Sequence, residues 1–458
     1  MNTGEETKIL APWTEALPAG WRVTRLDAVA DVLFSNVDKH TIDGEEPVRL
    51  CNYVDVYKND RITSGIDFME ASAEEREIKK FQIRRGDVLA TKDSEEADDI
   101  AISSLVAEDL PGVLCGYHLA MIRPRFPSVS GPFLAWLHAS KFFRAQYEAK
   151  AVGVTRFGLS QYSFRAARIP LPPPPEQQRI VAYLDASCAA IDVAVASKRR
   201  QLETLDALRK SIIQRAVTRG ISKRDALEST GNVWMAQIPR GWKLVCLKRI
   251  AEIQGGLTLG KQYDGPLIER PYLRVGNVQD GHLDLSNVSV IELPASVVAG
   301  VELRPDDVLM TEGGDIDKLG RGHLWKGEIP GCLHQNHIFA VRCFLHKLRP
   351  MFLAYVTSAK YGRDYFEATG KKTTNLACTN ATKVGEFPIP LPSLTEQESI
   401  CVYLDEKLDE LKRIVTNIES QIATLIAYRK SLIHECVTGQ RRITEADVAR
   451  VHLKTDED

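Results

Sequence analysis

Two long segments of the chain carry apolar residues at spacings that alternate between four and three. This is the heptad spacing by which helices pair in a coiled coil. In the first segment the seam positions are Leu184, Cys188, Ile191, Val195, Lys198, Leu202, Leu205, Arg209, Ile212 and Ala216. In the second they are Leu404, Leu408, Leu411, Val415, Ile418, Ile422, Leu425, Arg429, Leu432 and Cys436. The pattern predicts two helices that pair along these seams. Arg209 and Arg429 interrupt them at the same place, either to bond across the pair or to mark where a partner docks.

Each predicted helix begins abruptly after a proline-rich run. Glu176 and Glu396 follow these prolines, and neither segment then contains Pro or Gly until Gly220 and Gly439. Proline suits the start of a helix but not its interior, and an acidic first turn suits the positive end of the helix dipole. A helix of roughly 40 residues spans about 60 Å. The alternative, two core helices inside globular domains, fits less well with such length and with charged outer faces.

The chain is an internal repeat with a period of about 220 residues. LPAGWRVTRLDAVADV, from Leu17, returns as IPRGWKLVCLKRIAEI, from Ile238, and IRRGDVLAT, from Ile83, returns as LRPDDVLMT, from Leu303. Solenoid repeats are only about 20–50 residues long, so this is a duplicated domain with its connector. If a pseudo-twofold axis relates the two halves, the paired helices are antiparallel.

The segments before the helices, 17–170 and 238–390, mix short β-rich runs with turns, and each contains a predicted helix, at 131–150 and at 350–368. This predicts an α+β fold in which two α/β domains alternate with two long helices. Trp21 and Trp242 are predicted core anchors. The predicted boundaries are 1–172 for the first domain, 173–220 for the first helical spacer, 221–392 for the second domain, 393–440 for the second spacer and 441–458 for a tail.

Composition narrows the classes of protein that fit. The 458 residues are 44% hydrophobic and carry a net charge of −2, so any DNA binding must come from local basic surface. The amino terminus lacks a basic-then-apolar leader, and no run approaches the roughly 18 apolar residues of a membrane span. Nine cysteines form no CxxC pair, which argues against disulfides or a zinc site. We predict a cytoplasmic protein with no membrane contact and no bound metal.

The motifs of enzymes that act on DNA are missing from the sequence. It has no GxxxxGK[ST] loop, no glycine-rich methyl-donor site and no Asn-Pro-Pro-aromatic tetrad. The nearest approach to a nuclease site is Asp306 with Asp315, Asp317 and Lys318, and the first copy has no equivalent. We therefore predict a non-catalytic chain.

Taken in order, the repeated segments resemble the specificity subunit of Type I restriction–modification enzymes. The second copy carries the pattern more fully, with YLRVGNVQDGHLDL, DDVLMTEGG, HQNHIFAVR and GKKTTNL before IPLP, whereas the first shares GDVLATKDS and GVTRFGLS before IPLP. The resemblance implies a DNA-recognition subunit that binds double-stranded DNA, two methyltransferase subunits and two translocase-nuclease subunits. S-adenosylmethionine, ATP and Mg would then belong to the partners, and this chain would bind no cofactor.

Candidate DNA-contacting residues follow from chemistry, since phosphates need cations and base edges need amide, hydroxyl or basic side chains. They lie in two segments of each copy, one after a matched strand and one just before the domain ends. The candidates are Lys92, Ser94, Thr155, Arg156, Ser160, Arg321, His323, Lys371, Lys372, Thr373, Thr374 and Asn375. The aligned His118 and His337 stand beside apolar residues and are predicted to be core side chains.

Two similar but non-identical domains on a rigid spacer predict a DNA target with two different half-sites separated by unspecified base pairs. The competing interpretation is a non-enzymatic adaptor, or a phage-defence relative, whose domains do not read DNA sequence. Steep loss of DNA affinity with salt would distinguish a DNA-binding subunit from an adaptor.

Overall fold

The computed structural model describes residues 17–222, 226–279, 281–314, 319–372 and 377–455, with the backbone alone for 452–455. Contacts divide the chain into two compact units. Unit 1 comprises the residues up to Lys198 and those from Ser420 onward, and unit 2 comprises Arg199–Glu419. The division falls inside both long helices, so each helix gives one half to each unit.

The two long helices are α6, Pro174–Arg219, and α11, Leu394–Thr438. Both begin at the proline-rich runs, as predicted. The other helices are short and belong to the domains or to the tail. They are α1 (Tyr53–Lys58), α2 (Glu75–Phe81), α3 (Gly131–Ala139), α4 (Lys141–Glu148), α5 (Gln161–Arg165), α7 (Ala295–Val298), α8 (Pro350–Ser358), α9 (Lys360–Thr369), α10 (Ala381–Glu386) and α12 (Glu445–Thr455).

The strands are short, and most of them recur in matching positions in the two units. In unit 1 they are β1 (Arg22–Arg25), β2 (Ala30–Phe34), β3 (Glu46–Cys51), β4 (Arg61–Ile62), β5 (Met69–Ala73), β6 (Val88–Thr91), β7 (Asp93–Ser94), β8 (Ser103–Val106), β9 (Val113–Cys115), β10 (Leu119–Pro124), β11 (Phe157–Gly158) and β12 (Arg168–Leu171). In unit 2 they are β13 (Leu227–Ser229), β14 (Gln237–Pro239), β15 (Lys243–Cys246), β16 (Ala251–Gly255), β17 (Ile268–Leu273), β18 (Ser289–Leu293), β19 (Val308–Thr311), β20 (Gly313–Gly314), β21 (Gly322–Leu324), β22 (Leu333–His334), β23 (Ile338–Cys343), β24 (Lys371–Lys372), β25 (Ala377–Cys378) and β26 (Pro388–Leu391).

The strand orders show that the duplication extends to the fold. The main sheet of unit 1 has the order β2-β10-β6-β8-β4, and that of unit 2 has the order β16-β23-β19-β21. A second sheet, β5-β3-β9, matches β18-β17-β22. In each unit the first strand of the domain pairs antiparallel with the strand that leads into a long helix, β1 with β12 and β15 with β26. The predicted α+β fold with an internal duplication is confirmed.

Each unit buries halves of both long helices in its core. In unit 1 the first half of α6, including Leu184 and Ile191, packs in one cluster with the last turns of α11. In unit 2 the end of α6, including Val217, packs with the start of α11, including Leu404. The start of one helix therefore meets the end of the other within each unit, so the pairing is antiparallel, as predicted. Trp21 and Trp242 are buried in these clusters.

The single helices predicted at 131–150 and 350–368 are each broken in two. Ser140 separates α3 from α4, and Ala359 separates α8 from α9. Both residues are extended, with ψ values of 118° and 154°. The first helix of each pair is buried on most sides, whereas the second buries only one stripe. The break turns the second helix so that its stripe faces the same core, which a straight helix could not do.

One segment corrects the expectation drawn from composition about membrane spans. Helix α6 contains an 18-residue window of mean hydropathy 1.6, so it is long and apolar enough to cross a membrane by length and composition. Core helices of soluble proteins pass the same test. Here the apolar face of α6 is buried in unit 1. Asp185 and Asp192 of the same helix are partly exposed and form ion pairs with Arg61 and Arg429.

Candidate nucleic-acid interface

Two of the candidate segments meet in unit 1, although about 60 residues of chain separate them. Strand β7, which follows β6, pairs antiparallel with β11. Phe157 lies opposite Ser94, and Gly158 lies opposite Asp93. We call this pair of strands the loop sheet of unit 1. It brings Lys92, Ser94 and Arg156 together at one place on the domain.

The two basic side chains at this loop sheet differ in their solvent exposure. The exposed Arg156 donates from Nε and Nη2 to Oδ1 of Asp93, at 3.1 and 2.5 Å. Lys92 is half-buried, with Nζ 4.2 Å from the ring centre of Tyr117 and donating to the carbonyl of Ser35 at 3.2 Å. Burial lowers the pKa of Lys92, and the charge of Asp93 opposes that effect. Arg156 is therefore the more accessible of the two cations.

The candidate hydroxyl groups of unit 1 also differ in how accessible they are. Ser94 is buried, and its Oγ accepts from the backbone N–H of Glu96. Ser160 caps α5, with Oγ accepting from the N–H of Ser163 at 3.1 Å. Thr155 is exposed in the turn before β11. Of these three hydroxyls, that of Thr155 has the most open surroundings.

Unit 2 contains an equivalent loop sheet with different side chains. It has the order β20-β25-β24, and it follows β19 as β7 follows β6. Lys371 and Lys372 form the outer strand, and both are exposed. Gly313 and Gly314 occupy the positions that Asp93 and Ser94 have in unit 1. Thr373, Thr374 and Asn375 lie outside the described residues.

Arg321 and His323 lie at different places. The backbone carbonyl of Arg321 accepts from the N–H of Thr311 at 3.1 Å, which sets Arg321 beside the end of β19, next to the loop sheet. His323 is half-buried on β21, in the wall of a cleft of about 550 Å³ between the domain and the long helices, with Arg209 and Tyr355. Burial lowers the pKa of His323. The candidates of unit 2 thus do not form a single group.

The two aligned histidines are not core residues, so that prediction was wrong. His118 donates from Nδ1 to Oδ2 of Asp93 at 2.8 Å, and its side chain is 31% exposed. His337 donates from Nδ1 to Oε2 of Glu312 at 2.8 Å, and its side chain is 52% exposed. Both histidines precede the strand next to β6 or β19 and stand beside the loop sheet. The acidic residue just after the neighbouring strand was the signal in the sequence that could have indicated this.

The seam residues of the long helices are buried or half-buried throughout. They are Leu184, Ile191, Leu202, Leu205, Arg209, Ile212, Leu404, Leu411, Ile418, Ile422, Leu425, Arg429 and Leu432. Arg429 bonds across the pair, with Nε 3.0 Å from Oδ1 of Asp192 on α6. Arg209 lies 3.4 Å from Asp206 on its own helix. At the position of unit 2 that matches Asp192, the residue is Lys412.

The described part of the chain contains no cluster of side chains suited to binding a metal ion. Within it, no three His, Cys, Asp or Glu side chains are grouped closely enough to hold a metal ion. All nine cysteines lie in that part, and none is paired in a disulfide. The candidate surfaces consist of loops that carry exposed basic side chains, Arg156 in unit 1 and Lys371 and Lys372 in unit 2.

The fold and the two loop sheets define a protein of two similar units built on paired helices, and comparison with known proteins places it more closely. Residues 18–203 match the family model described as the Type I restriction modification DNA specificity domain. The EcoKI specificity subunit of Escherichia coli (strain K12) is 23% identical over 319 residues, which are 69% of this chain and 65% of that protein. The match thus spans about two thirds of that relative's own length.

Two further similarities extend over nearly the whole chain. The putative MjaX specificity subunit of Methanocaldococcus jannaschii is 22% identical over 434 residues, 93% of this chain and 95% of the relative. A chain from a study of complex assembly and conformational transition in the type I R-M system superposes with a TM-score of 0.69 at 20% identity, covering 92% of this chain and 98% of that one. The resemblance predicted from the repeated motifs is confirmed. The chain is similar in sequence to Type I specificity subunits, and its fold matches that of the chain from the type I R-M system.

Proposed function

We propose that this chain is the DNA-recognition subunit of a Type I restriction–modification complex and reads a bipartite, asymmetric target with one half-site per unit. The observation that carries the proposal is the pair of loop sheets. Both are formed at the same place in the same fold, yet one presents Asp93 and Arg156 and the other presents Lys371 and Lys372. Two loop sheets with the same backbone position and different side chains suit two half-sites of different sequence, because side chains make the contacts to base edges.

The chemistry of modification and cleavage would reside in partner subunits. We propose that two methyltransferase subunits, which hold S-adenosylmethionine, and two translocase-nuclease subunits, which use ATP and Mg, join this chain in the cytoplasm. Large apolar side chains that lie off the seam and remain exposed on the long helices support docking there. They are Val193 and Leu208 on α6 and Val402, Ile414 and Tyr428 on α11.

Mapping of methylated bases in the host genome, with and without the gene, tests the proposal. We expect the gene to produce methylation within one motif of two defined half-sites and a fixed spacer. A genome whose methylation is the same in both strains would contradict the proposal. An adaptor would also show DNA affinity that is low and insensitive to salt, whereas a DNA-reading subunit loses affinity steeply as salt rises.

Exchange of residues 17–170 for the matching segment of another relative tests whether the units read independently. We expect one half-site to change and the other to persist, because the loop sheet of unit 2 is untouched. An effect on both half-sites would contradict one half-site per unit.

A further inference from the structure

The two aligned histidines occupy the same backbone frame. The residue that follows β6 or β19 donates its N–H to the carbonyl of the histidine, from Lys92 to His118 at 3.1 Å and from Glu312 to His337 at 2.9 Å. The carbonyl of the same residue accepts from the chain that re-enters after the loop, at 2.9 Å in unit 1 and 2.7 Å in unit 2. Each histidine is thereby fixed between the main sheet and the loop sheet.

The acid that pairs with the histidine comes from a different position in each unit. In unit 1 it is Asp93, the second residue after β6, and in unit 2 it is Glu312, the first residue after β19. The longer Glu side chain makes up for the earlier position, and both pairs have the same 2.8 Å separation. The geometry of the histidine ring is thus kept although the acid has changed in type and place, which favours a role for the ring itself.

The pairing with the carboxylate determines which ring nitrogen of each histidine is left to bind another molecule. A carboxylate only accepts hydrogen bonds, so Nδ1 carries the hydrogen, and Nε2 of the neutral ring is an acceptor. In unit 1, Arg156 donates to the other carboxylate oxygen of Asp93, Oδ1. Its Nη2 also lies 3.3 Å from Nδ1 of His118, the ring nitrogen that is already bonded to Asp93. Within the described residues nothing hydrogen-bonds Nε2 of either ring, and both side chains are partly exposed.

We propose that His118 and His337 are specificity-determining residues, each reading one base of its half-site through Nε2. In the major groove an acceptor is complementary to the exocyclic amino group of adenine or cytosine, and it is not complementary to the acceptor edge of guanine. Each half-site then has one position at which adenine or cytosine is preferred on the contacted strand. This inference rests on the proposed function and assigns it to particular side chains.

The test replaces the acceptor with a donor. His118→Lys and His337→Lys in the full chain present an ammonium group, which suits O6 and N7 of guanine. Binding sites are selected from a randomised DNA library for each variant and for the unchanged chain. We expect His118→Lys to shift one position of one half-site from adenine or cytosine to guanine by roughly tenfold. We expect His337→Lys to do the same in the other half-site only.

His346→Lys is the matched control. His346 is exposed and follows β23, whereas His337 precedes it, so the six-residue strand separates the two by about 20 Å. The control adds the same charge to the same unit, and its selected motif should not change. Alanine at either histidine should make one position indifferent to base and leave the rest of that half-site intact.

Three results separate the possibilities. Lysine variants that bind DNA with an unchanged motif would overturn the reading role. So would alanine variants that unfold at the normal temperature but lose a whole half-site, because the histidine would then act by shaping the loop sheet. If the unchanged chain selects no sequence, the proposed function itself fails.

Discussion

At the scale of single residues, His138 makes the stability of unit 1 depend on pH. It is fully buried on α3, where Nδ1 donates to the carbonyl of Leu134 at 2.8 Å and Nε2 lies 3.1 Å from the hydroxyl of Tyr147. Burial lowers the pKa of His138 to about 4. The unfolded chain takes up this proton near pH 6.5, so the folded state keeps its full stability above that pH and loses stability as the pH falls from about 6.5 toward 4. We expect a loss of about 2 kcal/mol at pH 5 from this group.

Denaturant unfolding of the full chain at pH 8 and pH 5 checks this expectation. His138→Gln should remove that part of the pH dependence, whereas His40→Gln, at an exposed position of the same unit, should keep it. Equal pH dependence of the unchanged chain and His138→Gln would contradict the assignment. Unit 2 has Thr357 at the matching position. Its own buried His334 lies elsewhere, and burial lowers the pKa of His334 too.

A buried ion pair recurs in both units and predicts a large effect of substitution. Asp307 is 1% exposed and accepts from Nε and Nη2 of Arg342 at 2.9 and 3.1 Å, as Asp87 does from Arg123 at 2.8 and 2.6 Å. Asp307→Asn leaves the guanidinium group buried without its counter-charge, which costs roughly 3–5 kcal/mol.

The matched substitution is Asp31→Asn, which breaks the half-exposed pair with Arg125. We expect it to change the free energy of unfolding by less than about 1 kcal/mol, since exposed pairs contribute little. Denaturant unfolding measures both variants, and similar small losses would show that the Asp307 pair is not isolated from solvent as the structure has it.

At the scale of elements, Arg429 connects three parts of unit 1. It bonds Asp192 on α6 and Asp60 before β4, and its guanidinium carbon lies 5.8 Å from the ring centre of Trp136 on α3. We expect Arg429→Ala to lower the free energy of unfolding by about 1–2 kcal/mol, because the contacts are only partly screened. Lys430→Ala, at the exposed neighbour on the same helix, should change it by less than about 0.5 kcal/mol. Equal losses in the two variants would contradict this role of Arg429, because alanine favours the helix at both positions and cannot itself cause a loss.

The elements also show which features a sequence reveals. The long helices could be predicted because heptad spacing and the prolines before Pro174 and Leu394 are local signals. The breaks at Ser140 and Ala359 could not, because they depend on the packing of two helical stripes against one core. The fold class, the duplication and the helix pairing therefore follow from pattern, whereas breaks inside helices follow from tertiary contacts.

The candidate interface was only partly predictable for a related reason. Residue chemistry alone selected the segments around Lys92 and Arg156, but their pairing through β7 and β11 joins strands about 60 residues apart. The partly exposed position of His118 depends on Asp93, which no periodicity places beside it. Composition can propose which side chains suit DNA, and only the fold shows which of them lie together.

At the scale of the whole molecule, the division inside the long helices has a consequence for folding. The core of unit 1 contains Leu432 and Val437 from the end of α11, together with Leu184 from the start of α6. A chain cut after residue 220 therefore lacks part of the core of its own first domain. The internal repeat is thus not a boundary between independent halves, and experiments on isolated halves test an incomplete unit.

Given the proposed two-part DNA target, the same helices predict how the length of that target depends on the protein. Residues 196–202 of α6 and 418–424 of α11 lie at the division between the units, and removing both sets takes one heptad from each helix. Seven residues are two turns of a coiled coil, so the seam stays in phase and the pair shortens by about 10 Å. That length equals about 3 base pairs of DNA. We expect the selected motif to keep both half-sites and to lose about 3 base pairs of spacer.

Deleting 196–202 alone leaves helices of unequal length and should weaken binding without defining a new spacer. If the doubly shortened chain still binds the original spacer, the helices do not set the distance between the half-sites.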